Sequence, residues 1–374
     1  MEQVPFGHPA WIEIDLAQFQ RNLLEIRKLI GPRKLCLPIK ANAYGHGLVP
    51  IAKAAVAAGV EYLAVSSLQE GALLRQEGLD GPILVMGAVH EEQLEALIRL
   101  GLEFTLSSLF KARLAAQKCA ELKATCKVHV EVDTGMQRTG VRPATAVGLL
   151  AFLYATPCFE VVGVYSHLAT ADDPDSAFAR EQIATFRRFA QDHVLQGGRA
   201  PLLHLANSGG VLFHPEAHLD MVRPGLLAFG YGPSALKTLC PGLAPIFSVR
   251  AKISYFKTVA AHQGISYGHT FVTARDTRIV TVPVGYGDGF RRALSNRAQV
   301  LIRGRRYPLV GTVCMDQFMV DLGQDEAYVG EVVTLVGRQG DQEVTLEEMA
   351  RLCDTIPYEI LCGFNDRLPR VYLG

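Results

Sequence analysis

Short apolar runs and amphipathic stretches take turns along the first two thirds of the chain, and few folds are open to a chain built that way. The runs are LCLPIK (35–40), YLAVSS (62–67), PILVMG (82–87), FTLSS (104–108), KVHVEVD (127–133), VVGVYSHL (161–168), LLHLANS (202–208) and MVRPGLLAFG (221–230). Their length and apolar character read as strands. Between them, LVPIAKAAVAAG, EEQLEALIRLG, SLFKARLAAQKCA and DSAFAREQIATFRRFAQDHV space their apolar residues at helical intervals. DLAQFQRNLLEIRKLIG precedes the first run, with Asp15 predicted as its N-cap and Gly31 as its terminator. Strand–helix units in such a series predict a (β/α)8 TIM-type barrel over residues 1–240. A doubly wound open sheet is the alternative, and the lack of G-x-G-x-x-G after the first run weighs against it.

The character changes through YGPSALKTLCPG (231–242). Beyond it lie PIFSVRAKISYFKTVAA, TRIVTVPVGYG, QVLIRGRRYPLVGTVCMDQFMVDL and GEVVTLVG, with LEEMARLCD as a helix before the tail. These predict a second, mostly antiparallel β domain over 241–374, so the fold class is α/β followed by β. Lys plus Arg and Asp plus Glu number 37 each, which removes the basic field of a nucleic-acid binder. The eight cysteines are scattered without a C-x-x-C pair, and MEQVPFGHPAWIEID carries no secretory pattern. Reduced, buried thiols in a cytoplasmic protein are the expectation, with no membrane span.

In a barrel of this kind chemistry sits at the C-terminal strand ends. That places Lys40, Arg138 just beyond Asp133, His167, Asn207 with Ser208, and Arg223 around one mouth. The residues alone leave each case open. A strand-end lysine either snorkels into water or forms an imine, and N-S-G-G either caps a helix or receives a phosphate. Alternation also puts His129, Glu131 and Asp133 on one strand face, a metal-site pattern, but the T-G-M-Q-R that follows argues against it and no metal is expected.

PIKANAYGHG (38–47), DTGMQRTG (133–140), SHLATAD (166–172), NSG (207–209), VRPG (222–225), ISYGHTF (265–271), VGYGDGF (284–290) and VCMDQF (313–318) together resemble alanine racemase. The likeness runs in order from WIEID to LPRVY, across both domains. It implies a pyridoxal 5′-phosphate (PLP) enzyme of fold type III, racemising alanine to supply D-alanine for peptidoglycan. Lys40 would hold PLP as an imine and act as one acid/base. Tyr44, Ser208, the backbone of Gly225 and Leu226, and Tyr358 would hold its phosphate. Arg223 would face the ring nitrogen, with His167 beside it. A permanent cation there disfavours ring protonation, which suits racemisation over side reactions.

The second base would be Tyr267, acting on the cofactor in the barrel of a homodimer partner. A free phenol titrates near ~10, so nearby positive charge must lower it. Met315 and Asp316 would come from the partner too. The Met315 backbone and Arg138 would bind the substrate carboxylate, while Tyr286 and Arg292 line the entry. A racemase of serine, lysine or arginine is the alternative, because a pocket discriminates a methylene by only about 1–3 kcal/mol. A barrel-only PLP carrier and a decarboxylase are weaker readings, since Y-G…C-M-D is present. One departure stands out: many members have a carbamylated lysine where this chain has Glu131. A carboxylate there supplies the negative charge without modification and is expected to orient Arg138.

Overall fold

In the computed structural model the described residues are 7–194, 200–233 and 236–374; residues 234 and 235 of the predicted linker lie outside them. Two compact units are present. One comprises Phe19–Ala43 and Leu48–Ala244, the other the stretch up to Gln18, Tyr44–Gly47 and Pro245–Gly374. Residues 7–18 and the Tyr44–Gly47 loop therefore sit with the downstream unit, where the sequence placed them in the barrel. The reason is strand pairing. AWIEID forms β1 (Ala10–Asp15), which lies antiparallel to Phe247–Lys252 and parallel to Arg370–Leu373.

The first unit is a closed, all-parallel barrel. Its staves are β2 (Lys34–Pro38), β3 (Tyr62–Val65), β4 (Ile83–Val85), β5 (Glu103–Leu106), β6 (Cys126–Glu131), β7 (Phe159–Tyr165), β8 (Leu202–His204) and β9 (Met221–Val222). Closure comes from β9 pairing with β2 through Lys34–Met221 and Leu35–Val222. Each predicted run overlaps one stave; β2, β5, β6 and β7 begin one or two residues before the run, and every stave ends before its run does, because the run's last residues turn out of the ladder at the mouth. The helix Leu16–Ile30 begins as predicted: Asp15 Oδ1 accepts from Gln18 N at 2.7 Å, and Gly31 ends it at φ +62°.

Inside, Cys36, Tyr62, Ala64, Leu84 and Met221 form an apolar cluster. Alternation along β5 to β8 fills the rest of the interior with polar groups: Glu103, Thr105, His129, Tyr165 and His204, all buried. Such groups are tolerated only when paired. No helix among the described residues is long and apolar enough to cross a membrane. None of the eight cysteines is in a disulfide, but the expectation of buried thiols holds only for Cys36, Cys119, Cys126 and Cys240: Cys158, Cys314 and Cys353 are half-buried, and Cys362, on the short helix Pro357–Gly363, is exposed.

The second unit is a mostly antiparallel ten-stranded sheet. Its further strands are β10 (Phe247–Lys252), β11 (Tyr255–Val259), β12 (Gly264–Ile265), β13 (Phe271–Val272), β14 (Thr277–Val282), β15 (Gln299–Ile302), β16 (Arg305–Val310), β17 (Phe318–Gly323), β18 (Val332–Gln339), β19 (Gln342–Val344) and β20 (Arg370–Leu373). The sheet order is β11-β14-β17-β16-β15-β18-β10-β1-β20, with β19 on β18, while β12 and β13 pair as a separate two-stranded ribbon. The predicted helix appears as Leu346–Leu352, capped by Thr345 accepting from Glu348 N.

Candidate active site

The barrel mouth collects its side chains one strand end at a time. Lys40 follows β2 and opens a turn of unusual hand. Ala41, Asn42, Ala43 and Tyr44 all have φ between 52° and 54°. A left-handed turn costs non-glycine residues about 1–2 kcal/mol each, so the surroundings must impose it. Glu70 does part of this, accepting from Ala41 N at 2.7 Å and Ser66 N at 2.9 Å, while Asn42 Oδ1 accepts from Leu48 N at 2.7 Å. The lysine is thus anchored at the start of a strained, clamped loop. Ala41 is exposed, so Ala41→Gly should relieve strain without loss of packing. We expect about 0.5–1 kcal/mol of added stability in chemical denaturation, net of glycine's extra unfolded-state entropy. A loss of stability would mean that the turn is not left-handed.

Arg223 follows β9 and is 2% exposed. Its Nη1 donates to His204 Nδ1 at 2.8 Å and its Nη2 to the Ser166 carbonyl at 2.7 Å. The guanidinium also stacks over the Tyr165 ring, 5.0 Å from the centroid. His167 follows β7. Burial first, then the charges of Arg223, Arg138 and Lys40, push its pKa down to about 3, so it is a neutral imidazole. Its Nδ1 is buried without a hydrogen-bond partner.

His204 and His218 are likewise pushed down, chiefly by burial. Unfolding at acid pH releases these imidazoles to bind protons that the folded state refuses. Their contribution is complete above the unfolded value of about 6.5 and is lost progressively as pH falls below it. The urea midpoint should therefore be lower at pH 5.5 than at pH 8. An unchanged or higher midpoint at pH 5.5 would contradict their neutrality.

After β8, Asn207 Oδ1 caps the turn Ser208–Phe213 by accepting from Gly210 N at 3.0 Å. Ser208 Oγ accepts from Leu227 N at 3.2 Å, tying this turn to Leu226–Phe229, which follows Gly225. Gly209 is required here: a Cβ would come within 2.6 Å of the Ala171 carbonyl and the Asp172 carboxylate. Two helical first turns with a linking hydroxyl form a ready anion cradle. Together with the unpartnered His167 nitrogen and the buried cation, they fit a phosphorylated, ring-bearing cofactor.

Glu131 ends β6 and is 6% exposed. Its carboxylate is hydrogen-bonded by the side chains of Thr139 and Tyr165, and it feels the charges of Arg223 and Arg138. Burial outweighs these and raises its pKa. Hydrogen bonds thus come from Thr139 and Tyr165, whereas Arg138, exposed on the following loop, couples to it through charge. Asp133 faces its own loop, accepting from Gly135 N and Gln137 N. His129 is bonded to Glu103 and His204 instead of joining Glu131 and Asp133. Among the described residues no group of three metal-ligating side chains could hold an ion.

In the second unit Tyr44 and Tyr358 meet edge to face, with ring centroids 6.1 Å apart. Tyr267, 74% exposed, stands on the turn Tyr267–His269 between Ser266 at φ +63° and Gly268 at φ +73°. Thr312 Oγ1 donates to the Tyr267 carbonyl at 2.9 Å, and Ser266 Oγ to the Thr312 carbonyl at 2.6 Å. The phenol is exposed, yet its backbone is pinned. Met315 is 53% exposed, and its carbonyl accepts from Gly287 N at 2.8 Å. A Cβ on Gly285 would strike that carbonyl at 2.2 Å. Asp316 pairs with Arg367 at 2.6 Å, and Arg367 with buried Asp288 at 3.3 Å. Tyr286 and Arg292 are exposed on the adjoining turns. Tyr267, Ser266, His269, Cys314 and Gln317 line a surface cleft of about 520 Å³.

The site that sequence reasoning missed lies beneath the mouth: Glu103, His129, His204, Tyr165 and Thr105. Polar residues at every second position of KVHVE are the signal that marks β6 as facing a polar interior.

A model of the alanine racemase N-terminal domain matches residues 14–233, and one of the alanine racemase C-terminal domain matches residues 246–372. The chain is 43% identical over 367 residues to an alanine racemase of Symbiobacterium thermophilum, covering 98% of this chain and 97% of that one. It is 40% identical to one of Nostoc sp., covering 98% and 96%. Among solved structures, the alanine racemase from D-cycloserine producing Streptomyces lavendulae superposes with a TM-score of 0.93 at 34% identity, over 98% of this chain and 97% of that one. That from E. faecalis gives 0.92 at 35% identity, over 99% and 100%.

Proposed function

Since the chain belongs to the alanine racemase family, which makes it an isomerase that racemises alanine, we propose that it does so with PLP held at Lys40 and with two bases, Lys40 and Tyr267. The observation that carries the cofactor assignment is the barrel mouth itself: a lysine on a clamped loop, a neutral imidazole with an unpartnered nitrogen, a buried guanidinium and an anion cradle.

When bound, PLP supplies an electron-withdrawing ring that stabilises negative charge at the substrate Cα. Ser208, the backbone of Gly225 and Leu226, and Tyr44 and Tyr358 would hold its phosphate. Arg223, a permanent cation, would face the ring nitrogen and disfavour its protonation. Tyr267 Oη takes the α-proton of L-alanine, and Lys40 Nζ returns one to the opposite face; the roles exchange for D-alanine. Two fixed groups need no reorientation between removal and return.

The phenol of Tyr267 is exposed on its own unit, a form suited to a site completed by a second copy of the chain. We therefore place Tyr267, Met315 and Asp316 in the partner's site, with Tyr286 and Arg292 at its entry. The Met315 backbone and Arg138 bind the substrate carboxylate. The test is racemase activity across L-alanine, L-serine, L-lysine and L-arginine. Activity confined to the larger substrates would overturn the alanine reading.

Glu131 is the anion of this site, held by Thr139 and Tyr165 and coupled to Arg138 through charge. Activity should accordingly be independent of added bicarbonate. Glu131→Gln should raise KM for alanine about 5- to 20-fold, the effect of weakening one charged interaction by about 1–2 kcal/mol. Wild-type kinetics in that variant, or stimulation of the native enzyme by bicarbonate, would remove Glu131 from substrate binding.

A further inference from the structure

Four buried polar side chains run in single file through the barrel interior. Arg223 Nη1 meets His204 Nδ1 at 2.8 Å, His204 Nε2 meets His129 Nδ1 at 3.1 Å, and His129 Nε2 meets Glu103 Oε2 at 2.8 Å. None is more than 2% exposed. The donor directions follow from one fact: a guanidinium has no acceptor. His204 Nδ1 must therefore accept, which leaves its proton on Nε2. That proton goes to His129 Nδ1, so His129 in turn carries its own proton on Nε2 and donates to Glu103. Every bond in the file points the same way, and Glu103 Oε2 is the acceptor at its end.

Two further features support this order. Gly163 lies beside the His129–His204 contact; a Cβ there would come within 2.3 Å of His129 Nδ1 and 2.9 Å of His204 Nε2. Tyr165 stacks on His204 at 4.8 Å between centroids and is itself bonded to Thr105 Oγ1 at 2.9 Å, which fixes the plane of the imidazole. At its far end the file reaches the opposite face of the barrel, where Glu103 lines a cleft with Arg75 and Lys127.

We propose that Glu103, His129 and His204 are positioning residues that set the hydrogen-bond polarity of this file, and so hold Arg223 in the one orientation that presents it to the cofactor. The proposal rests on the reading that Arg223 faces the cofactor. Its structural half, the order of protons, does not depend on that reading. Removing the acceptor at Glu103 leaves the His129 Nε2 proton buried and unsatisfied. Moving it to Nδ1 forces His204 to carry its proton on Nδ1, donor against donor with Arg223.

The test is ¹⁵N-histidine NMR of the holoenzyme, read beside steady-state kinetics. In the native protein His129 and His204 should both be neutral with the proton on Nε2. Glu103→Leu should shift His204 toward the Nδ1–H form, move the absorbance maximum of the bound cofactor, and lower kcat about tenfold or more with KM for alanine within about twofold. Glu103→Gln retains an acceptor and should keep the native protonation pattern, with kcat within about threefold of native. Gly163→Ala should separate the imidazoles and reproduce the Glu103→Leu spectrum. A native His204 protonated on Nδ1 would overturn the proposal with no variant needed. So would a Glu103→Leu enzyme with native kcat, or a Glu103→Gln enzyme as impaired as Glu103→Leu. Native proton order with unaffected cofactor absorbance in Glu103→Leu would instead show that Arg223 does not face the cofactor.

Discussion

Lys40→Ala should lower racemase activity by about 10⁴-fold or more and abolish the visible absorbance of the covalently held cofactor. Lys40 is the lysine placed at the barrel mouth by the left-handed loop, and His167 feels its charge. Alanine offers neither an imine-forming amine nor a base. The barrel should survive, because Lys40 lies outside the β2 ladder and only half-buried. Thermal unfolding of the variant should therefore stay close to native. If the purified variant retained the absorbance band, another amine would hold the cofactor and the assignment would fall.

Tyr267→Phe should be nearly as severe, costing about 10³-fold in kcat, because it deletes one of two proton-transfer groups and leaves the ring in place. Tyr267 is largely exposed, so folding should be unaffected. The decisive form of the experiment mixes it with Lys40→Ala. If each site takes Lys40 from one chain and Tyr267 from the other, a mixed dimer has one site with both lesions and one with neither. Equal amounts after full exchange should then recover about a quarter of native activity, since about half the dimers are mixed and each has one intact site in two. No recovery under conditions where subunits demonstrably exchange would refute the shared site.

The barrel was legible because eight buried staves interrupted by amphipathic helices leave a strong periodic trace. Lys40, His167, Ser208 and Arg223 were legible for the same reason, each standing where an apolar run ends. Three things left no such trace. β1 and β20 are brought together from opposite ends of the chain, so their pairing depends on contacts that local pattern does not encode. The left hand of the Ala41–Tyr44 turn runs against the preference of alanine itself and is imposed by Glu70 and the loop around it. The Glu103–His204 file joins residues on β5, β6 and β8, and only barrel closure shows that their alternating positions converge. Strand alternation placed His129, Glu131 and Asp133 on one face, but it did not reveal that His129 and Glu131 are satisfied by different neighbours.

Racemisation of L-alanine in deuterated water by the PLP-loaded enzyme reads the removal and return of the α-proton together. L-alanine should be carried to an equal mixture of enantiomers, the product D-alanine should carry deuterium at Cα, and L-serine, L-lysine and L-arginine should turn over far more slowly. Failure to form D-alanine, or D-alanine that keeps the original α-hydrogen throughout, would contradict two-base racemisation of alanine.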